Sequence, residues 1–492
     1  MGIEAGPGAT SMKRIAAACL IGSVIEYYDF LIYATAAALV FPTVFFPHLS
    51  PAMATTASMG TLATALLARP LGAVVFGYFG DRLGRKKTLV ATLLIMGVST
   101  VAVGLVPSTA SIGVAAPLIL IALRMLQGLS VGGEWAGSAL LSAEYAPANK
   151  RGLYGVFTAV GGGTGLVLTS LTFLGVNYTI GEDSRGFIEW GWRLPFLMSA
   201  ALIAIGLYVR LNIDETPVFG EEKARNLIPK APLAELLRLQ RREIALAAGS
   251  FFGCFTFSFM VTSYLATYAH TDLGYSRNVI LVVGALCGLT NVGFAALSAT
   301  LSDRVGRRRM MLIGSAMCLP WSLVVLPLVD TGKPILYAVA IVGMKAVEGI
   351  AIGPMAACIP ELFATRYRYS GTALAVNVAC VAGGAVPPLI AGTLLATYGS
   401  WAISLMLATI AAASLVCIYL LPETNGTTLR AEQRFERFEV PFGVLASQPS
   451  RTRLQLPGTG RWLSRSIQTG PAASVRQDPA AGAAIRRVDQ AH

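Results

Sequence analysis

The sequence predicts an all-α integral membrane fold of twelve transmembrane helices in two six-helix halves, and three observations predict it. The first is composition: 54% of the 492 residues are hydrophobic and 13% charged, with a mean hydropathy of +0.63, whereas a soluble domain carries about 25% charged residues. The second is a series of continuous apolar runs, each near the roughly 20 residues that a helix needs to cross a bilayer. They lack the alternation of barrel strands, so each segment must satisfy its backbone polar groups internally, as a helix. The third is an internal repeat. Gly80-Asp81-Arg82-Leu83-Gly84-Arg85-Lys86-Lys87 returns 222 positions later as Ser302-Asp303-Arg304-Val305-Gly306-Arg307-Arg308-Arg309. Glu144 and Arg151 return as Glu361 and Arg368, and Asp214-Glu215-Thr216 returns as Pro422-Glu423-Thr424. Such tandem membrane halves point to a transporter that rocks one half against the other.

The elements follow in order. An N-terminal segment, 1–14, precedes a first span at 15–40, whose length and whose Glu26 and Asp29 distinguish it from a cleaved signal peptide. Spans at 56–79, 88–106, 114–142, 153–176 and 192–211 complete a first half, 15–211. Residues 212–242 form a linker of mixed charge, where Leu233, Leu236 and Leu237, with Ile244 beyond, set out an amphipathic helix suited to the membrane surface. The second half, 243–421, holds spans at 243–269, 278–300, 309–329, 335–359, 370–396 and 401–421. Residues 422–492 form a basic tail rich in Pro, Gly, Ala, Ser and Arg. It has no heptad pattern and reads as largely disordered, with arginines from Arg451 to Arg487 that can meet anionic lipid.

Loop charge sets the orientation. The loops after even-numbered spans collect Arg82, Arg85, Lys86 and Lys87, then Lys150 and Arg151, then Arg225, Lys230, Arg238, Arg241 and Arg242, then Arg304 to Arg309, then Arg366 and Arg368. Loops after odd-numbered spans are nearly neutral. The basic face is expected to be cytoplasmic, with both termini on it, in an inner or plasma membrane. The net charge of +12 follows from this bias and the tail, so nucleic acid is not an expected partner; lipid is. All seven cysteines lie in predicted spans, where a thiol acts as a small apolar side chain, and no disulfide is expected. His48, His270 and His492 make no metal-ligand spacing. Neither metal nor cofactor is expected, and no catalytic constellation points to an enzyme.

The repeated loop has a mechanism. Gly77, Gly80 and Gly84 permit close helix approach and a tight turn, Asp81 can accept at a helix N-terminus or from an arginine, and Arg85 to Lys87 can reach neighbouring helix C-termini. The cluster Gly77, Gly80, Asp81, Arg82, Gly84 and Arg85, its echo Asp303, Arg304, Gly306 and Arg307, and the pairs Glu144, Arg151, Glu361 and Arg368 together read as a gate that latches one end of the molecule. These motifs resemble the major facilitator superfamily, whose hallmark is Gly-x-x-x-Asp-Arg-x-Gly-Arg-Arg/Lys after the second and eighth spans. Glu26-Tyr27-Tyr28-Asp29-Phe30, the run Arg124-Met125-Leu126-Gln127-Gly128-Leu129-Ser130-Val131-Gly132-Gly133-Glu134-Trp135, Glu144-Tyr145-Ala146-Pro147 and Trp192-Arg193-Leu194-Pro195-Phe196 look like its metabolite:proton symporters. Tyr27 stands where that branch has Trp, and Tyr367-Arg368-Tyr369-Ser370-Gly371 is similar to the shikimate-type members. Across about residues 13–427, the resemblance implies proton-coupled movement of a small metabolite such as shikimate, 2-oxoglutarate, citrate, proline or betaine, by a carrier that functions as a monomer.

Charges inside the spans are the site candidates, because each costs at least about 2.5 kcal/mol at a helix centre unless paired or hydrated. Glu26 and Asp29 share one face of the first span, as do Arg124 and Gln127 in the fourth. Asp29, then Glu26 and Glu134, are the candidates for the coupled proton; the alternative for Asp29 with Arg124 is a static buried pair, and for Glu134 a structural hydrogen-bond partner for Arg or backbone. Arg124 suits a solute carboxylate through its planar fork. Gln127, Tyr28, Tyr33, Tyr264, Asn291, Asn377 and Glu348 are expected to complete the substrate site, with Lys345 as a second cation across the cavity. Lys345 and Glu348 can also satisfy each other. Arg69 and Arg193 read as span-end anchors. The partners expected are a small carboxylate or zwitterion, and protons. An uncoupled facilitator or exchanger, a zwitterion symporter and a transporter-like sensor remain alternatives.

Overall fold

The computed structural model describes residues 12–181, 184–212 and 232–426. The linker from 213 to 231, with Arg225, Lys230 and the Asp214-Glu215-Thr216 mark, lies outside the described residues, as do residues 1–11 and the tail from 427.

Twelve helices are long and apolar enough to cross a membrane: α1 (Arg14–Ala38), α2 (Met53–Leu83), α3 (Arg85–Leu105), α4 (Ala115–Tyr145), α5 (Ala148–Ile180), α6 (Gly191–Leu211), α7 (Arg241–Thr271), α8 (Arg277–Val305), α9 (Arg307–Val329), α10 (Pro334–Leu362), α11 (Arg368–Tyr398) and α12 (Ser400–Leu420). No strand occurs among the described residues. The helices run past the apolar stretches of the sequence into the basic loops, most at α2, α5 and α8, because a helix continues through charged residues until a turn residue stops it. At Gly84 and Gly306 the stop is a backbone φ of 110° and 109°, a left-handed conformation that favours glycine. The two copies of the repeated loop therefore make the same turn.

Several spans are interrupted. A π-helical turn, Met260–Tyr264, lies in α7, and a second, Cys380–Ala385, lies in α11 just before Pro387 and Pro388; the prolines lack the N–H groups that would continue the ladder. Span α10 divides at Gly353-Pro354, and α5 at Val160, ahead of Gly161-Gly162-Gly163. The halves meet where α2 lies against α11 and α5 against α8. A Cβ on Gly163 would stand 2.7 Å from the Gly288 carbonyl oxygen, and one on Gly288 2.5 Å from that of Gly163, so the α5 and α8 backbones touch there.

The linker does form a short helix, Pro232–Leu239, but it does not rest on lipid alone. Leu236 is fully buried, Leu237 is exposed, and Gln240 accepts a hydrogen bond at 3.2 Å from the Ala364 amide. Its apolar side meets the protein beside α2 and α11, because that surface offers an apolar seat without ordering lipid.

Candidate functional site

The site is built inside the first half, from α1, α2, α3, α4 and α6. Arg124 is fully buried, yet it makes no ion pair among the described residues. Its guanidinium carbon lies 3.8 Å from the centroid of the Tyr33 ring and 5.4 Å from that of Phe30, so aromatic faces rather than a carboxylate stabilise its charge. Tyr33 is held for this role by a hydroxyl contact to Thr61 and an edge contact to Phe41 at 5.1 Å. The expected Asp29–Arg124 pair is absent as a direct contact. Asp29 accepts from Ser199 Oγ on α6 at 2.7 Å and from Thr100 Oγ1 on α3 at 2.9 Å, and these hydroxyls satisfy its carboxylate locally.

Asp29 and Arg124 are instead joined by a hydrogen-bonded chain whose polarity follows from chemistry. Arginine only donates, so Arg124 turns Gln127 Oε1 toward its Nη1. The amide Nε2 then donates to Thr100 Oγ1 at 2.7 Å, and the Thr100 hydroxyl donates its own hydrogen bond to Asp29 Oδ2. A proton on Asp29 Oδ2 would make it a donor, and Thr100 could turn its proton to the Met96 carbonyl oxygen, 3.0 Å away. The relay can therefore exist in two arrangements, distinguished by the charge on Asp29.

Glu26 and Arg69 stand on the other side of Arg124. Together with Phe30, Arg124 and Gln127 they line a cavity of about 10 Å³. Arg69 is not a span-end anchor: it lies at the middle of α2, 7% exposed, and donates to Cys380 Sγ on α11 at 3.1 Å. Arg193 does hold a span end, donating to the Gly104 and Val106 carbonyl oxygens at 2.8 and 2.7 Å. Glu134 is paired with Arg210 on α6 and accepts from Thr92 on α3 at 2.7 Å; this is a closed structural cluster below the relay.

The remaining candidates are dispersed. Lys345 binds Glu348 and donates to Ser258 Oγ at 3.0 Å, and Asn291 donates to the Lys345 carbonyl oxygen at 3.3 Å. These three belong to the second half, with Lys345 neutralised by its neighbour one helical turn away. Tyr28 donates to the Pro195 carbonyl oxygen at 3.1 Å, which ties it to α6 rather than to Arg124. Asn377 donates to the Gly132 carbonyl oxygen at 2.7 Å and so joins α11 to α4. Tyr264 stacks on Tyr268 and lines a separate cavity between α2, α7 and α11.

The basic face is closed by a second, pseudo-symmetric constellation. Asp81, at the end of α2, accepts from the Tyr369 and Ser370 amides at 3.3 and 3.1 Å and from Ser370 Oγ at 2.6 Å, capping the N-terminus of α11. Asp303, at the end of α8, accepts from the Gly152 and Leu153 amides at 2.8 and 2.9 Å, capping the α5 segment that begins at Arg151. Each aspartate thus caps a helix of the opposite half. Glu144 lies between Arg85 of its own half, at 3.4 Å, and Arg368 of the other, at 3.7 Å; Glu361 lies between Arg307 and Arg151, both at 3.0 Å. Gly80 lies against the Tyr369 ring, which a Cβ would meet at 2.6 Å, and Gly77 against Ser370. Lys86 donates to the Leu211 carbonyl oxygen at the end of α6, as Arg308 does to that of Tyr419 at the end of α12. Arg82 and Arg304 stand apart from the latch on the exposed side; Arg82 turns back onto Tyr78.

The family model of the Major Facilitator Superfamily matches residues 20–388. The chain belongs to the major facilitator superfamily. Within the family it is 42% identical over 428 residues to the inner membrane metabolite transport protein YhjE of Escherichia coli strain K12, covering 85% of this chain and 96% of that one. It is 37% identical over 400 residues to the shikimate transporter of the same strain, covering 79% and 89%. It is 32% identical over 391 residues to the proline/betaine transporter of Salmonella typhimurium strain LT2, covering 77% of each. The solved structure of the proton:xylose symporter XylE bound to 6-bromo-6-deoxy-D-glucose superposes with a TM-score of 0.67 at 19% identity, over 85% of this chain and 97% of that one; this likeness shows the family fold. The chain is a multi-pass membrane metabolite transporter and not an enzyme.

Sequence reasoning missed Thr100, Ser199 and Arg210, and misjudged Arg69. A signal existed for Arg69, which lies well inside the span Met53–Leu83 rather than near either end of it. None existed for the hydroxyls, which are common in membrane helices and bond their own backbone as readily as a neighbour.

Proposed function

We propose that the protein is a proton-coupled symporter that imports a small carboxylate-bearing metabolite across the inner membrane by alternating access, working as a monomer with both termini in the cytoplasm. The observation that carries this reading is the relay Asp29–Thr100–Gln127–Arg124: a titratable group and a solute-binding cation share one hydrogen-bonded chain, so a change at either end alters the other. The names of the relatives supply the solute class, since they include a shikimate transporter and a proline/betaine transporter. The solved proton:xylose symporter supplies a precedent for coupling on this fold. Closure of the basic face by the capped helices corresponds to a state shut on the cytoplasmic side.

In this cycle a proton on Asp29 reverses the Thr100 hydroxyl and weakens its hold on Gln127, and Arg124 turns from Gln127 to the solute. The test is uptake of labelled carboxylates and zwitterions into proteoliposomes containing the full-length chain, with and without an imposed pH gradient. Accumulation only with the gradient is expected; equal accumulation without it overturns the coupling, and failure to move any carboxylate overturns the solute class.

A further inference from the structure

The cavity beside Arg124 is electrostatically incomplete. Its volume of about 10 Å³ holds at most one water, while the residues around it carry several buried atoms without hydrogen-bond partners: Arg69 Nε, Arg124 Nε and Nη2, and Glu26 Oε2. Glu26, Arg69 and Arg124 are all more than nine-tenths buried. Arg69 spends one of its donors on Cys380 Sγ, and a thiol sulfur is a weak acceptor. Buried donors of a charged guanidinium are ordinarily filled by a carboxylate, and no carboxylate among the described residues fills these.

We infer that Arg69 is a second ligand for the solute carboxylate, and that the cavity it shares with Arg124 and Glu26 selects a hydroxy-monocarboxylate. The inference rests on the proposed function and deepens it. Charge counting decides the class. Arg69 and Arg124 contribute two positive charges, and Glu26 and Asp29 two negative ones when ionised. Asp29 has both oxygens occupied by Ser199 and Thr100. With a proton on Asp29 and Glu26 ionised, the four groups sum to one positive charge, which a monoanion cancels. A dianion leaves the buried site negative, and Lys345 is held by Glu348 and Ser258 and so is not free to compensate. A zwitterion leaves the site positive. The unfilled Glu26 Oε2 needs a donor, which a hydroxyl on the solute provides and an unsubstituted fatty acid does not.

Entry requires the Phe30 ring to move. It stacks edge-on against Phe259 of α7 at 5.3 Å and lies 5.1 Å from the Arg69 guanidinium and 5.4 Å from that of Arg124. The bond that Arg69 gives up on binding is the one to Cys380, at the start of the π-helical turn of α11. Solute capture in the first half therefore releases a contact to the second.

The experiment measures ligand-induced thermal stabilisation of the full-length protein in detergent, without any gradient. The probes are three hydroxy-monocarboxylates, shikimate, quinate and D-glycerate, set against 1-cyclohexene-1-carboxylate, methyl shikimate, glycine betaine, L-proline and succinate. At least one of the first three is expected to stabilise the protein and the others are not; stabilisation by none of the three, or stronger stabilisation by a zwitterion, a dianion or the hydroxyl-free acid, overturns the class. Arg69→Gln should weaken the effective hydroxy acid about 10-fold or more, with partial rescue by Arg69→Lys; an unchanged affinity overturns the assignment. A merely structural Arg69 would lower the melting temperature of the unliganded protein and leave the affinity intact. Should Arg69→Gln fail to fold, Cys380→Ala removes the competing acceptor and should tighten binding a few-fold, and unchanged or weaker binding counts against the proposal. Loss of gradient-driven accumulation with Arg69-dependent binding intact would strike at the coupling and leave this inference standing.

Discussion

Arg124 holds its charge against the Tyr33 ring rather than against an acid, and this choice of partner makes it available. A cation–π contact is worth about 2 kcal/mol or more when desolvated, but it leaves Arg124 Nε and Nη2 without hydrogen-bond partners, and a solute carboxylate can fill them. Arg124→Ala should abolish uptake, while Arg124→Lys, which keeps the charge but loses the fork, should raise KM with a smaller effect on kcat; initial rates at matched expression check both. Glu134 and Arg210 illustrate the opposite case. Both are buried and bound to each other, with Arg210 also donating to the Leu89 carbonyl oxygen. Removing either partner strands a charge and should destabilise the protein by about 3–5 kcal/mol. The double change Glu134→Gln with Arg210→Gln should cost less than the sum of the two, which thermal melts in detergent would resolve.

The latch belongs to the scale of elements, because Asp81 and Asp303 act on whole helices. Each cap joins a side chain of one half to the first amides of a helix in the other, a contact worth about 1 kcal/mol for the cap with a further contribution from the helix dipole. Asp81→Ala should therefore weaken the state closed at the basic face and slow turnover roughly 5- to 30-fold while leaving solute binding intact. Asp303→Ala should do the same, given the symmetry of the contacts. Counterflow rates, with binding measured alongside, check the pair. That a loop carrying an Asp able to accept at a helix N-terminus occurs twice was legible in the sequence, from the Gly, Asp and Arg spacing repeated in register; which helix each Asp caps was not. The π-helical turns were only half legible: Gly383-Gly384 and Pro387-Pro388 mark a bend in α11, but nothing in the α7 segment Met260–Tyr264 distinguishes it from ordinary helix. The relay through Thr100 and Ser199 was not legible, because it depends on which faces of α3 and α6 turn toward α1, and helical periodicity says which residues share a face but not which neighbour they meet.

At the scale of the molecule, transport requires that the two ligands bind together or not at all. Reciprocity makes this quantitative: if a proton on Asp29 favours solute at Arg124, then solute must favour the proton by the same factor. Asparagine at position 29 reproduces the protonated acid in shape and in hydrogen bonding. Its amide can donate to Thr100 as the acid would, and its oxygen can accept from Ser199, so the relay is fixed in the arrangement that frees Arg124. An Asp29→Asn carrier should therefore bind solute and cycle when loaded, exchanging labelled for unlabelled solute at a rate near that of the unaltered chain. It should fail to concentrate solute under an imposed proton gradient, because no proton is released in the cell to drive the return step. Counterflow and gradient-driven uptake, measured on the same proteoliposomes, separate the two behaviours. If Asp29→Asn still concentrates solute, the coupled proton is carried elsewhere. Glu26 is then the next group to change, since its Oε2 is buried without a hydrogen-bond partner whereas Glu134 is held by Arg210 and Thr92.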